Sequence, residues 1–124
     1  MPVIIGVALG GAIGASARWL LDRFIEHHTE SVFPWSTFAI NISGCLLIGV
    51  VIETLVDRHH LPAWLRVGLV VGVLGGYTTF STFSQETFSL IESNDVGVAL
   101  GYATASVVVG VLSVYAGTVL GRAF

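Results

Sequence analysis

A chain of 124 residues that is 54% hydrophobic and 10% charged, with a mean hydropathy of +0.87, is not clothed for water, because soluble domains carry about 25% charge. Its formal charge is only −3 and it contains no lysine, which excludes the basic footprint of a nucleic-acid binder. The one cysteine, Cys45, lies in an apolar run, so no intrachain disulfide can form and thiol redox chemistry is not expected.

A helix needs about 20 apolar residues to cross the hydrocarbon core. Four runs qualify, predicting one integral membrane domain over 1–124 with spans at about 3–24, 33–56, 64–91 and 96–121. The first opens "MPVIIGVALG", with no basic residue ahead of the apolar stretch. It is expected to remain as a span and not to be cleaved as a leader. Within it, "GVALGGAIGASAR" echoes a dinucleotide-binding fingerprint, but that motif needs a strand before it and a helix after it. Four lipid-length runs leave no such unit. Gly6, Gly10 and Gly14, like Gly68/Gly72, Gly97/Gly101 and Gly117/Gly121, read better as small residues that admit a neighbouring helix closely. Arg18 closes the span, where it can snorkel to the interface or make a vestibule electropositive.

The second span carries Asn41 in "TFAINISGCLLIG". A mid-span amide is costly unless paired. It reads equally as an interhelical hydrogen bond or as a donor facing a water-filled path. The third span carries "GGYTTFSTFSQE", Gly75 to Glu86. Glycine weakens a helix, so a break is expected near 75–78, releasing backbone groups that are tolerated in mid-membrane only when buried or lining a cavity. Helical spacing then places Phe80, Phe83, Ser84 and Thr87 on one face and Thr78, Ser81, Thr82 and Gln85 on another. Hydroxyls donate to anions or accept for cations, and the edge of a phenylalanine ring is electropositive. The competing reading has the hydroxyls bonded to their own helix carbonyls. Glu86 is an ionisable group inside a span and therefore a functional candidate.

In the fourth span Tyr102, Ser106 and Ser113 share a stripe with Gly110 and Gly117. Thr104 and Thr118 lie off it and read as structural. Trp19, Trp35 and Trp64 fall near span ends, as headgroup anchors do. His27-His28 and His59-His60 sit in the links and read as solvated. Arg58, Arg66 and Arg122 stand on one side of the membrane and Arg18 and Arg23 on the other. So slight an imbalance predicts insertion in both orientations, and two opposed copies recreate the inverted repeat of many transport folds.

"GGAIGASARW", "TFAINISGCLLIG" and "GGYTTFSTFSQE" together resemble the CrcB/Fluc fluoride channels over essentially the whole chain. The resemblance implies an all-α membrane fold, four transmembrane helices with the third broken mid-span, assembled as an antiparallel dual-topology homodimer in the cell (inner) membrane with two separate fluoride pores. It implies pore roles for Asn41, Phe80, Phe83, Ser81, Thr82, Tyr102, Ser106, Glu86 and Arg18. It also implies one structural Na⁺ at the dimer axis, held by backbone carbonyls of Gly75 and Thr78, with no organic cofactor and no enzymatic chemistry. One departure is visible: Gly110 stands where the fourth-helix track calls for a polar residue, with Ser113 as the substitute. Two other readings are a coupled carrier, either a proton-linked fluoride exporter or a small multidrug exporter, and a membrane assembly subunit without transport. The first apolar run, Val3 to Leu21, lacks the carboxylate on which small multidrug exporters depend.

Overall fold

The three prolines of the chain, Pro2, Pro34 and Pro62, each sit immediately ahead of a helix. Their fixed φ suits the approach to a first turn, and their missing amide removes no helical hydrogen bond there. In the computed structural model, which describes residues 1–56 and 59–124, α1 runs Val3–His28. Helix α2 runs Trp35–Val51 and continues as a wide π-helical turn, Ile52–Val56. Helix α3, Ala63–Val67, passes into a π-helical stretch, Gly68–Leu74, and then into α4, Gly75–Tyr77. Helix α5 is Phe80–Glu92 and α6 is Val96–Arg122. Arg58, placed above on one side of the membrane, lies outside the described residues.

Grouped by length and hydropathy, these make four helical stretches long and apolar enough to cross a membrane: Val3–His28, Trp35–Val56, Ala63–Glu92 and Val96–Arg122. Helix α1 is long enough to carry His27 and His28 in its last turn instead of the following link. The α5–α6 link is tight. Asn94 adopts φ 62°, a left-handed conformation that asparagine tolerates, and the Asp95 amide reaches back to the Leu90 carbonyl at 2.8 Å.

Glycine sets two of the helix contacts. A Cβ at Gly10 would meet the Gly68 carbonyl, and one at Gly117 would meet the Leu46 carbonyl. Backbone therefore packs on backbone, α1 against the Ala63–Tyr77 helix and α2 against α6, as small-residue seams allow in lipid. Gly97 and Gly101 have nothing within 4 Å, so that pair does not serve a seam in this chain.

The protein interior is small. Ile40, Leu74, Leu90, Ala99 and Tyr102 are buried, while Ile4, Leu9, Ile13, Leu20, Leu100, Val107, Val111 and Leu112 all point outward. So much contiguous apolar surface is foreign to a soluble monomer and ordinary against hydrocarbon.

After α4, Thr78 (φ −83°, ψ 160°) and Thr79 (φ −150°, ψ 117°) are extended. Gly75 and Gly76 are themselves helical, so the non-helical residues are not the glycine pair. Gly76 is used for packing instead, since a Cβ there would lie 2.9 Å from the Gly11 carbonyl. Thr79 acts as N-cap of α5, its Oγ1 accepting from the Thr82 amide at 3.3 Å. Threonine's capacity to bond locally to backbone favours that position over a helix interior.

Candidate functional site

The extended pair takes its hydrogen bonds from α2. The Thr79 amide donates to Asn41 Oδ1 at 2.8 Å, and Asn41 Nδ2 donates to the Thr79 carbonyl at 2.9 Å. The side-chain amide thus stands in for the backbone partners that a continuous helix would supply. One Nδ2 hydrogen is left over. The Thr79 amide would otherwise close a turn on the Gly75 carbonyl, so that carbonyl is released from the helical ladder. The Thr78 hydroxyl turns back to the Leu74 carbonyl at 3.0 Å. What Thr78 can offer elsewhere is therefore its carbonyl oxygen.

Asn41, Cys45, Gly75, Thr78, Thr79 and Phe80 line an open concavity of about 290 Å³. Phe80 is 78% exposed and its ring projects beyond the chain. Phe83 turns inward, its ring centroid 5.7 Å from that of Phe80 and 5.0 Å from that of Tyr102. Phe33 adds a second edge contact to Tyr102 at 5.3 Å.

Tyr102 is fully buried, and its hydroxyl donates to Glu86 Oε2 at 2.7 Å. Thr37, also buried, donates to Glu86 Oε1 at 2.7 Å. Both carboxylate oxygens are held by hydroxyls from two other helices, α2 and α6. Ser36, the neighbour of Thr37, donates to Asp22 on α1. A cleft of about 150 Å³ between α1, α2 and the start of α5 carries Arg18, Asp22, Thr37, Thr79 and Thr82.

The sequence-predicted residues fall into groups. Asn41 meets the backbone of Thr79. Tyr102 joins Phe83 through an edge contact of the rings and Glu86 through its hydroxyl. Arg18 and Thr82 share the cleft. Phe80, Ser81 and Thr82 are exposed, and Ser106 is half-buried one turn beyond Tyr102. Gly110 is buried against α2, where a Cβ would lie 3.5 Å from Cys45 Sγ. Ser84 and Thr87 donate to the carbonyls of Phe80 and Phe83, as in the competing reading of the hydroxyl row. Thr78 does not belong to the α5 face, because its backbone is extended.

Sequence reasoning missed Thr37, Ser36, Asp22 and the Ser43–Tyr77 hydroxyl pair at 2.8 Å. The adjacent polar pair Ser36-Thr37 inside an apolar run was the available signal. Among the described residues no group of His, Cys, Asp and Glu is placed to hold a metal ion.

Four lipid-length helices, a glycine-packed interior and a half-buried polar chain define a multi-pass helical membrane protein. The family described as CrcB-like protein, Camphor Resistance (CrcB), matches residues 5–118. The chain is 44% identical over 117 residues to a Fluoride-specific ion channel FluC of Pseudomonas fluorescens (strain Pf-5), covering 94% of each. It is 43% identical over 121 residues to that of Chloroflexus aurantiacus (strain J-10-fl), covering 98% of this chain and 96% of the relative. It is 37% identical over 122 residues to that of Flavobacterium psychrophilum, covering 98% of each. The chain belongs to the CrcB family.

Proposed function

We propose that the chain forms a fluoride-selective channel of the cell membrane, through which a negative-inside potential expels cytoplasmic fluoride passively. The names of its relatives support the ion. The observation that carries the reading to this chain is the arrangement around Glu86 and Phe83. Hydroxyls of Thr37 and Tyr102 are oriented by one carboxylate, beside a phenylalanine pair, with no lysine anywhere in the chain. Fluoride is small and strongly hydrated, so dense neutral donors must replace its water without a fixed cation binding it too tightly to release. Ser81, Thr82 and Ser106 extend the donors. Ring edges of Phe80 and Phe83 supply a weak positive field.

The reading includes an antiparallel homodimer in which the third span is broken in mid-membrane at Thr78–Thr79. The outward ring of Phe80 and the open concavity beside it are then covered by the second copy. A structural Na⁺ suits the carbonyls of Gly75 and Thr78, because hard cations take oxygen ligands and those carbonyls sit where the helical ladder is interrupted. Bound there, Na⁺ would neutralise carbonyls of Gly75 and Thr78 that the interrupted ladder leaves without helical partners.

The test is purified protein in liposomes loaded with KF, with fluoride release recorded by electrode after valinomycin, beside a matched KCl batch. Fast fluoride release, without chloride release and without a pH gradient, is the expected result. Release that requires an imposed proton gradient would replace the channel with a coupled carrier.

A further inference from the structure

The cleft that holds Arg18 also holds a carboxylate the fluoride reading does not use. Asp22 lies one turn after Arg18 on α1, so both project to one face, and both line the cleft with Thr37, Thr79 and Thr82. Asp22 is held in place, since the Ser36 hydroxyl, itself buried, donates to its Oδ1. On the far side of Thr37 stands a second carboxylate, Glu86. A cleft with one guanidinium and threonine hydroxyls would attract an anion. The same cleft with Asp22 fixed at its wall has that attraction largely cancelled, and one of its hydroxyl donors, Thr37, is already committed to Glu86.

We infer that Asp22 is an access-limiting charge: it opposes the field of Arg18 in this cleft and sets how readily fluoride enters the polar path from the α1–α2 side. The inference rests on the channel reading above. A purely structural Asp22, tethering α1 to the start of α2 through Ser36, needs only an acceptor there, and a neutral amide supplies one. Charge is what separates the two roles, and charge is screened by salt. The Debye length shrinks from about 30 Å at 0.01 M to about 3 Å at 1 M ionic strength.

The experiment compares the full unsubstituted chain with Asp22→Asn, Asp22→Glu and Asp22→Ser in liposomes. Initial valinomycin-driven fluoride efflux is measured at low fluoride, in low and in high concentrations of an impermeant potassium salt. Asp22→Asn is expected to raise efflux about two- to fivefold at low salt, a modest change beside the roughly 10- to 1,000-fold range over which charged clefts focus ions, with the gain fading at high salt. Asp22→Glu should match the unsubstituted chain, and Asp22→Ser should repeat the gain should the amide variant fold poorly. Efflux from Asp22→Asn equal to or below the unsubstituted rate, or a gain that is the same at both salt strengths, overturns the inference while leaving the channel intact. Absence of fluoride efflux from the unsubstituted chain removes the channel reading and this inference with it.

Discussion

Replacing Asn41 with leucine tests how the extended Thr78–Thr79 segment is held. The substitution keeps the number and branching of side-chain heavy atoms and removes both hydrogen bonds to Thr79, the 2.8 Å bond from its amide and the 2.9 Å bond to its carbonyl. Interhelical hydrogen bonds inside membrane proteins average about 0.6 kcal/mol, so two of them set a floor near 1 kcal/mol. The backbone groups they satisfy would then be orphaned, at about 1–3 kcal/mol each when water is excluded. Asn41 is half-buried at the edge of an open concavity, so water can relieve part of that in a lone chain. Asn41→Leu should therefore destabilise the fold by about 1–6 kcal/mol, combining those two limits, with the upper end reached where a second copy covers the concavity. Reversible unfolding in mixed detergent, followed by the loss of Trp19 and Trp35 fluorescence changes, reads the difference. Asn41→Leu as stable as the unsubstituted protein would mean that Thr79 finds its partners elsewhere and that Asn41 does not hold the segment.

Tyr102→Phe removes one of the two hydroxyls on Glu86 but keeps the ring against Phe83 and Phe33. The expected loss is about 1.5–3 kcal/mol of stability, since the hydrogen bond is to a charged group, with slower fluoride efflux in the liposome assay. Gly117→Ala drives a methyl into the Leu46 carbonyl and should lower stability by about 1–3 kcal/mol. Gly101→Ala meets open space and should be neutral or slightly stabilising by the same unfolding measurement, through its better helix propensity. Phe80→Ile changes a ring that is 78% exposed. It should leave the yield of folded protein unchanged and abolish fluoride efflux, and retained efflux would remove Phe80 from the proposed pore.

The four spans were legible because hydropathy over 20 residues is a strong signal and the links between them are short. The seam glycines Gly6, Gly10 and Gly14 were legible from their spacing, since nothing but close packing requires small residues at every fourth position of a lipid-length helix. Gly97 and Gly101 have the same spacing and pack against nothing in the chain. Spacing reports which helix face is smooth, not whether a neighbour lies on it. The glycine pair Gly75-Gly76 misdirected the position of the extended residues for a related reason. A glycine can mark a weak helix or a crowded one, and Gly76 marks crowding against α1. The stronger signal was Thr79 followed by Thr82, an N-cap pattern hidden inside a run already read as a hydroxyl row. Thr37 was marked only by its place in the polar pair Ser36-Thr37, and neither its partner 49 residues away nor the partner of Asp22 14 residues away was legible.

On the channel reading, the hydroxyl bonds also account for how a path rich in donors avoids trapping its ion. Thr37 and Tyr102 each point at Glu86, and Ser36 points at Asp22. These donors are already oriented, so an arriving anion need not order them. They are also already engaged, so the anion must compete with a carboxylate for each. On the channel reading, every hydrogen bond fluoride gains there is offset by one a carboxylate gives up. The net affinity stays small even though each individual contact is strong, the condition that conduction imposes on any binding site. A lysine in place of any of these three carboxylate-bound hydroxyls would break that balance, because it would offer the anion a full charge with nothing to surrender.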